Sequence, residues 1–314
     1  MKVTLLAGGT GGAKLAHGLQ LVLPPGDLSV IVNVADDTER FGLLVCPDID
    51  TILYTLAGLA DRQQGWGVAG DTYTALPLLA RYGEEAWFRI GDADLATHVR
   101  RAHLLQEGRS LTDATASMAT SLGVATHLIP ATDDRLRTRI QTDAGELDFQ
   151  EYFVHRAQRD KVRGVRFDGV EAARPSPAAL AALADADLLV IGPSNPIVSI
   201  GPILVIPGMR DALLAARAPR IGVSGIVAGK AIRGPADRML ASLGHESSAL
   251  GVARLYAGLL DRFVIDSADA ALAPAIQAEL GTRVSVMPTI MQTDADRAGL
   301  ARQLLDLAEG MLSA

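Results

Sequence analysis

The sequence predicts an α/β fold, a doubly wound (Rossmann-like) and mostly parallel sheet with a small β-rich inserted subdomain, and three observations carry that prediction. Apolar runs of strand length alternate with helical patterns nearly from end to end, the arrangement that buries a parallel sheet between layers of helices. The strand-like runs are continuously apolar rather than alternating, as strands buried on both faces are. The first run passes through LAGGTGGAKL into a helical stretch, giving the strand, glycine turn and helix start of a phosphate cradle.

In chain order, residues 3–7 form the first strand, and residues 14–23 carry an apolar face at helical spacing. The second strand, residues 28–34, runs on to Asp36 and Asp37. Helices follow at 51–60, at 72–82, at 95–107 behind the capping Asp92 and Asp94, and at 112–122, where Ser110 and Asp113 have capping-box spacing. From about residue 126 to 170, short polar and β-prone pieces such as IQTDAGELDFQEYFV occur without a long helix, which predicts the insertion. Alternation then resumes, with strands at 187–191, 220–224, 262–265 and 284–288 and helices at 177–184, 208–216, 235–243, 249–260 and 295–312. No Pro-, Gly- or Ser-rich linker and no repeat divides the chain, so residues 1–314 read as one α/β domain.

Hydrophobic residues at 49% are ample for a large core. The 29 Lys and Arg against 36 Asp and Glu give a net charge of -7, which argues against a nucleic-acid surface. A single cysteine, Cys46, permits no intramolecular disulfide and no cysteine metal site, and it reads as a small buried hydrophobe. With no charged leader before an apolar segment and no run of 18 apolar residues, neither a signal peptide nor a membrane span is expected, and the expected location is cytoplasmic.

Four motifs carry the chemistry. The opening glycines Gly8, Gly9, Gly11 and Gly12 let the backbone approach a ligand where the first amides of a helix favour an anion. The Walker loop fails because Lys14 is followed by Leu15, and the dinucleotide fingerprint would put Lys14 where its third glycine belongs. A sugar-nucleotidyltransferase loop and a turn with no ligand stay open as alternatives. Next, VNVADD and CPDID place Asp36, Asp37, Asp48 and Asp50 within fifteen residues, beside the glycines. Such a set suits hydrated magnesium, which takes one or two carboxylates plus phosphate oxygens and water. Asp48 reads equally well as a helix cap. In WFRIGDADLATHVRR, Arg89 precedes a Gly-Asp turn, where a guanidinium suits a phosphate or a planar ring; His98, Arg100 and Arg101 follow on the helix, His98 as an ordinary core or surface histidine. VIGPSNPIVSIGPIL fixes a rigid loop that offers Ser194 and Asn195, and Ser224, Lys230 and Arg233 are further anion-binding candidates.

Taken together and in order, LAGGTGGAKL, VNVADD, CPDIDTILYTLAG, GDADLATH, SLTDAT, LDFQEYFV, IGPSNPIVSIGPIL, IPGMRDAL and GVSGIVAGKAIRGPA resemble the 2-phospho-L-lactate transferase family of coenzyme F-420 biosynthesis. The resemblance implies a doubly wound fold, a homodimer and one reaction. A guanosine-diphosphate-activated phospholactate, or phosphoenolpyruvate in the bacterial branch, passes its phosphoryl group and acid to the deazaflavin alcohol Fo, and GMP leaves. By motif, the resemblance implies that Asp50 and Arg89 bind Fo and that Asp36, Asp37 and Asp50 hold Mg2+, with Asp48 left as a cap. It implies that the nucleotide lies along Gly8, Gly9, Thr10, Gly11, Gly12 and Lys14 and along Ser194 and Asn195. Asp50 would orient the attacking hydroxyl or take its proton. An Arg- and Ala-rich composition inclines the reading to phosphoenolpyruvate. The rival reading is a sugar-nucleotide-binding regulator of the gluconeogenesis-factor-like kind, which shares the glycine-rich opening and the Asp-Asp pair.

Overall fold

Seven parallel strands form the central sheet of the computed structural model, which describes residues 1–313. In chain order they are β1 (Val3–Ala7), β2 (Leu28–Val32), β3 (His127–Pro130), β4 (Leu188–Ile191), β5 (Arg220–Val223), β6 (Arg262–Ile265) and β7 (Arg283–Val286). They lie side by side as β7-β6-β5-β4-β1-β2-β3. The chain therefore builds outward from β1 to one edge, returns to the other side of β1, and builds outward again. The gap between the carboxyl ends of β1 and β4 is the topological switch point, where open α/β sheets bind ligands. All residues of β1 and β4 are buried, which is why they read as unbroken apolar runs. The expected α/β architecture is the one observed.

Several boundaries and two elements differ from expectation. The helix α1 spans Gly9–Val22 and so starts inside the glycine turn. The next, α2 (Pro47–Leu56), begins four residues early because Pro47 occupies its first turn, where a missing N–H costs nothing. After α3 (Ala75–Arg81), α4 (Asp92–Gln106) takes Asp92 and Asp94 into its first turn. At α5 (Leu111–Ser121), Ser110 caps as expected by accepting the Asp113 amide at 3.0 Å. Residues 127–130, assigned by sequence to the insertion, are the edge strand β3 of the main sheet. The helix Ala273–Leu280 was not expected.

Beyond β3 a separate antiparallel sheet joins Arg137–Thr142 to Gly145–Asp148 and Val162–Asp168. Its apolar residues Ile140, Leu147 and Val162 cluster with Phe149, Tyr152, Val198 and Met239, which ties it to the loop after β4. On the other face, α1 crosses the last helix, Asp294–Leu312, so closely that a Cβ on Gly18 would collide with the Arg297 carbonyl. Among the described residues no single helix is long and apolar enough to cross a membrane.

Candidate active site

A cavity of about 560 Å3 opens at the switch point, lined by the turn after β1, the start of α2, the loop after β4 and the segment after β7. The opening glycines are explained first by what surrounds them. Gly9 has φ +62°, a left-handed conformation that disfavours side chains. A Cβ on Gly11 would strike the Pro193 carbonyl, and one on Gly12 would strike Ala7 and Ser194. The glycines therefore let the start of α1 lie directly against the GPSNP loop. Two of the amides at the helix start are already engaged: Gly8 donates to Ser194 Oγ at 3.2 Å and Gly9 to Asp48 Oδ1 at 2.8 Å.

The floor of the cavity is acidic. Asp36 and Asp48 both line it, and Asn33, which the sequence reading passed over, holds it together. Asn33 Nδ2 donates to Asp48 Oδ2 at 2.9 Å and to the Val198 carbonyl at 3.2 Å, while its Oδ1 accepts the Ala35 amide. Thr138 of the small sheet donates to Asp36 Oδ1 at 2.9 Å. Burial, then the charge of Asp48, hold the Asp36 carboxyl well above the usual range. Burial pushes Asp48 up to about 6 against the hydrogen bonds from Asn33 and Gly9, and pushes Asp37 up to about 7.

These placements change the expected metal set. Asp37 does not line the cavity, and its buried Oδ1 has no hydrogen-bond partner. Asp48, which read equally well as a cap, sits on the floor. Among the described residues no three His, Cys, Asp or Glu side chains converge as metal ligands, so Asp36, Asp37 and Asp50 form no preformed cage. Cys46 is buried, which raises its thiol far above the usual range.

Asp50 faces the cavity but is engaged from behind. Its Oδ1 accepts from Arg101, a fully buried guanidinium, and its Oδ2 accepts the Cys46 amide at 3.3 Å. Arg101 also donates to the Leu44 carbonyl at 3.1 Å and to His98 Nδ1 at 3.2 Å. Arginine only donates, so His98 Nδ1 must accept, and the ring's proton resides on Nε2, which faces Asp94 Oδ1 at 3.4 Å. Tyr54 donates to the same oxygen at 2.6 Å. His98 is thus a core histidine that also lines the cavity wall; its Nδ1 accepts from Arg101, and its buried Nε2 has no hydrogen-bond partner.

The mouth of the cavity is aromatic and cationic. Both tryptophans of the chain, Trp66 and Trp87, line it with Phe88, Phe149 and Phe153, so a composition of only 4% aromatic residues concentrates them here. Arg89 is exposed, with its guanidinium 4.3 Å from the centre of the Tyr73 ring, and Arg40 lies 4.1 Å over Trp87. Thr10, Lys14 and Arg233 line the side of the glycine turn. Ser194 and Asn195 line the cavity too, with Asn195 Oδ1 capping the π-helical turn Pro196–Ile200. Ser224 bonds its own turn, and Lys230 does not reach the cavity. The segment Thr289 to Met291 was not anticipated as a wall; only the position of β7 brings it there.

The family model for 2-phospho-L-lactate transferase CofD matches residues 3–297. A phosphoenolpyruvate transferase of Streptomyces griseus subsp. griseus is 42% identical over 98% of this chain and 99% of its own length. Another from Mycobacterium tuberculosis is 40% identical over 98% and 99%. A crystal structure of a UPF0052-family protein from Bacillus halodurans superposes with a TM-score of 0.62, 16% identity and coverage of 97% of this chain and 98% of that one, a likeness of fold alone.

Proposed function

The chain belongs to the 2-phospho-L-lactate transferase family, and from that premise we propose that its cavity carries the phosphoenolpyruvyl group of a guanosine-diphosphate-activated donor to the ribityl hydroxyl of Fo, releasing GMP. The observation that carries this reading is the joining, in one cavity, of a glycine-turn anion site with an aromatic mouth. A nucleoside diphosphate needs the first, and a planar deazaflavin needs the second. The naming of close relatives as phosphoenolpyruvate transferases supports the enolpyruvyl donor over the lactyl one.

The chain's own groups divide the work. With the Gly8 and Gly9 amides already engaged, the later amides of the first turn of α1 and Lys14 face the diphosphate, and fixed donors aimed at developing charge are the main source of catalysis in phosphoryl transfer. Trp66, Trp87 and Arg89 meet the ring of Fo. Asp50, fixed from behind by Arg101, accepts the hydrogen bond of the attacking hydroxyl and points it at phosphorus. Magnesium fits the floor: Asp36 and Asp48 are two mutually repelling buried carboxylates, a donor number this ion prefers when phosphate and water complete its shell. When bound it would neutralise charge on the transferring group. A homodimer and a cytoplasmic setting complete the proposal.

The test is turnover by purified protein given Fo, magnesium and either the enolpyruvyl or the lactyl donor, with GMP release and product followed by chromatography. The expected result is faster turnover with the enolpyruvyl donor. Absence of Fo binding together with binding of UDP-sugars would replace this reading with the regulatory one.

A further inference from the structure

Behind the glycine turn lies a second, smaller hollow of about 40 Å3 whose character is unlike the rest of this acidic protein. Four cations line it: Lys14, Arg62, Arg233 and Arg297. The close crossing permitted by Gly18 brings Arg297 of the last helix against the latter half of α1, beside His17, where it is 6% exposed. Its Nη1 reaches Asp294 Oδ1 at 3.3 Å and His17 Nδ1 at 3.2 Å, but its buried Nε has no partner. Arg62 meets both oxygens of Asp294 at 3.1 Å. Arg233 donates to the Gln64 and Gln63 carbonyls, and Lys14 to the Met291 carbonyl at 2.8 Å.

The charges do not balance. Asp294 serves two arginines, and Asp61, the other carboxylate at the hollow, is occupied by the amides of Gln63 and Gln64. Burial, then Arg297 and Arg233, depress the Lys14 ammonium. Like charges gathered at a partly buried site cost free energy unless an anion offsets them. The hollow has room for roughly three waters, or one phosphate-sized group. It adjoins the main cavity through Thr10, Lys14, Gly65 and Arg233, whereas Arg62 and Arg297 border the hollow alone.

We propose that this hollow is a second anion site, taking a tetrahedral phosphate-type oxyanion held by Arg62, Arg297, Arg233 and Lys14. The assignment does not depend on the identity of the transferred acid or of its acceptor. The oxyanion is either free phosphate or the phosphate of a nucleotide, and both share the chemistry that four cationic donors recognise.

Thermal unfolding of the full chain tests it, with inorganic phosphate titrated to 10 mM against sodium chloride of matched ionic strength. A site of about millimolar affinity should raise the wild-type midpoint by roughly 2 °C over the chloride control. Arg62→Ala, an exposed substitution, should raise the apparent phosphate Kd about tenfold, and Arg297→Lys should do so as well. A GMP arm sorts the source: stabilisation by GMP that Arg62→Ala also weakens assigns the nucleotide's phosphate, and stabilisation by GMP indifferent to that change assigns free phosphate. Equal stabilisation by phosphate and chloride, or an unchanged phosphate Kd in Arg62→Ala, overturns the proposal.

Discussion

The floor and the mouth of the main cavity are built in opposite ways. On the floor, Asp36, Asp48 and Asp50 are each at most 8% exposed, and each is held by groups from distant parts of the chain: Thr138, Asn33 and Gly9, and Arg101. At the mouth, Arg89 is exposed and Trp66 is 41% exposed, and the aromatic groups lean mainly on one another and on nearby arginines. A buried charge must be held in one place or it is too costly to keep, so each floor carboxylate is tied into the fold by its partner. The exposed part of the mouth, Trp66 and Arg89, can lose a side chain and lose only its ligand, whereas Phe149 belongs also to the core of the small sheet.

The sharpest way to break that contrast is to cut the floor's ion pair. Arg101→Met leaves Asp50 buried without its partner and is expected to destabilise the fold by about 3–5 kcal/mol, read from the urea midpoint. The double variant Arg101→Met with Asp50→Leu is expected to recover most of that loss, since an apolar pair of similar volume substitutes well for a buried ion pair. It should remain inactive. Recovery of stability without recovery of turnover would show that the pair is kept for function; a stable single variant would show that the floor is less tightly determined than its burial implies.

A second effect of the same origin should appear with pH. Burial sets the native Asp37 carboxyl near 7 against an ordinary value of 3.8. Between those values the unfolded chain has released the proton that the native state retains, so this group's contribution to stability falls as pH rises from about 4 to 7 and stays lost above. Asp37→Asn keeps the neutral shape. In metal-free buffer it is expected to be more stable than wild type at pH 8 by on the order of 4 kcal/mol, with the gap narrowing toward pH 4. Parallel urea titrations at pH 4.5 and 8 check this, and a gap independent of pH would remove Asp37 from the account.

What the sequence disclosed follows the same division. The strands were legible because strands buried on both faces must be apolar throughout, and Val3–Ala7 and Arg262–Ile265 fall at their expected bounds. The acidic motifs were legible as a cluster beside the glycine turn, but the placement of each carboxylate within it was not. Nothing in PDID distinguishes a cap from a floor carboxylate, because the distinction lies in Asn33 and Gly9, brought there by the sheet. The edge strand β3 was hidden because HLIP is short and precedes a β-rich stretch that drew it into the insertion. The aromatic mouth was invisible for a further reason. Trp66, Trp87 and Phe149 are scattered over more than eighty residues with no common period, and only the fold collects them.

The least costly change should sharpen the contrast from the other side. Arg89 presents a guanidinium 4.3 Å from the Tyr73 ring centre, where the ring quadrupole favours it without burying it. Arg89→Ala is expected to leave the urea midpoint within about 0.5 kcal/mol of wild type, as surface changes do. It should weaken Fo binding, followed by Fo fluorescence, about five- to tenfold, close to 1 kcal/mol and in the range of a single cation–π or charge-assisted contact. Arg89→Lys should restore little of the affinity, because an ammonium keeps the charge but not the plane that lies against a ring. If Lys restores it fully, Arg89 acts as a point charge on a phosphate and belongs with the nucleotide side. If Ala lowers stability as Arg101→Met does, the mouth is part of the fold's own framework, and the division between a floor that must be held and a mouth free to vary does not stand.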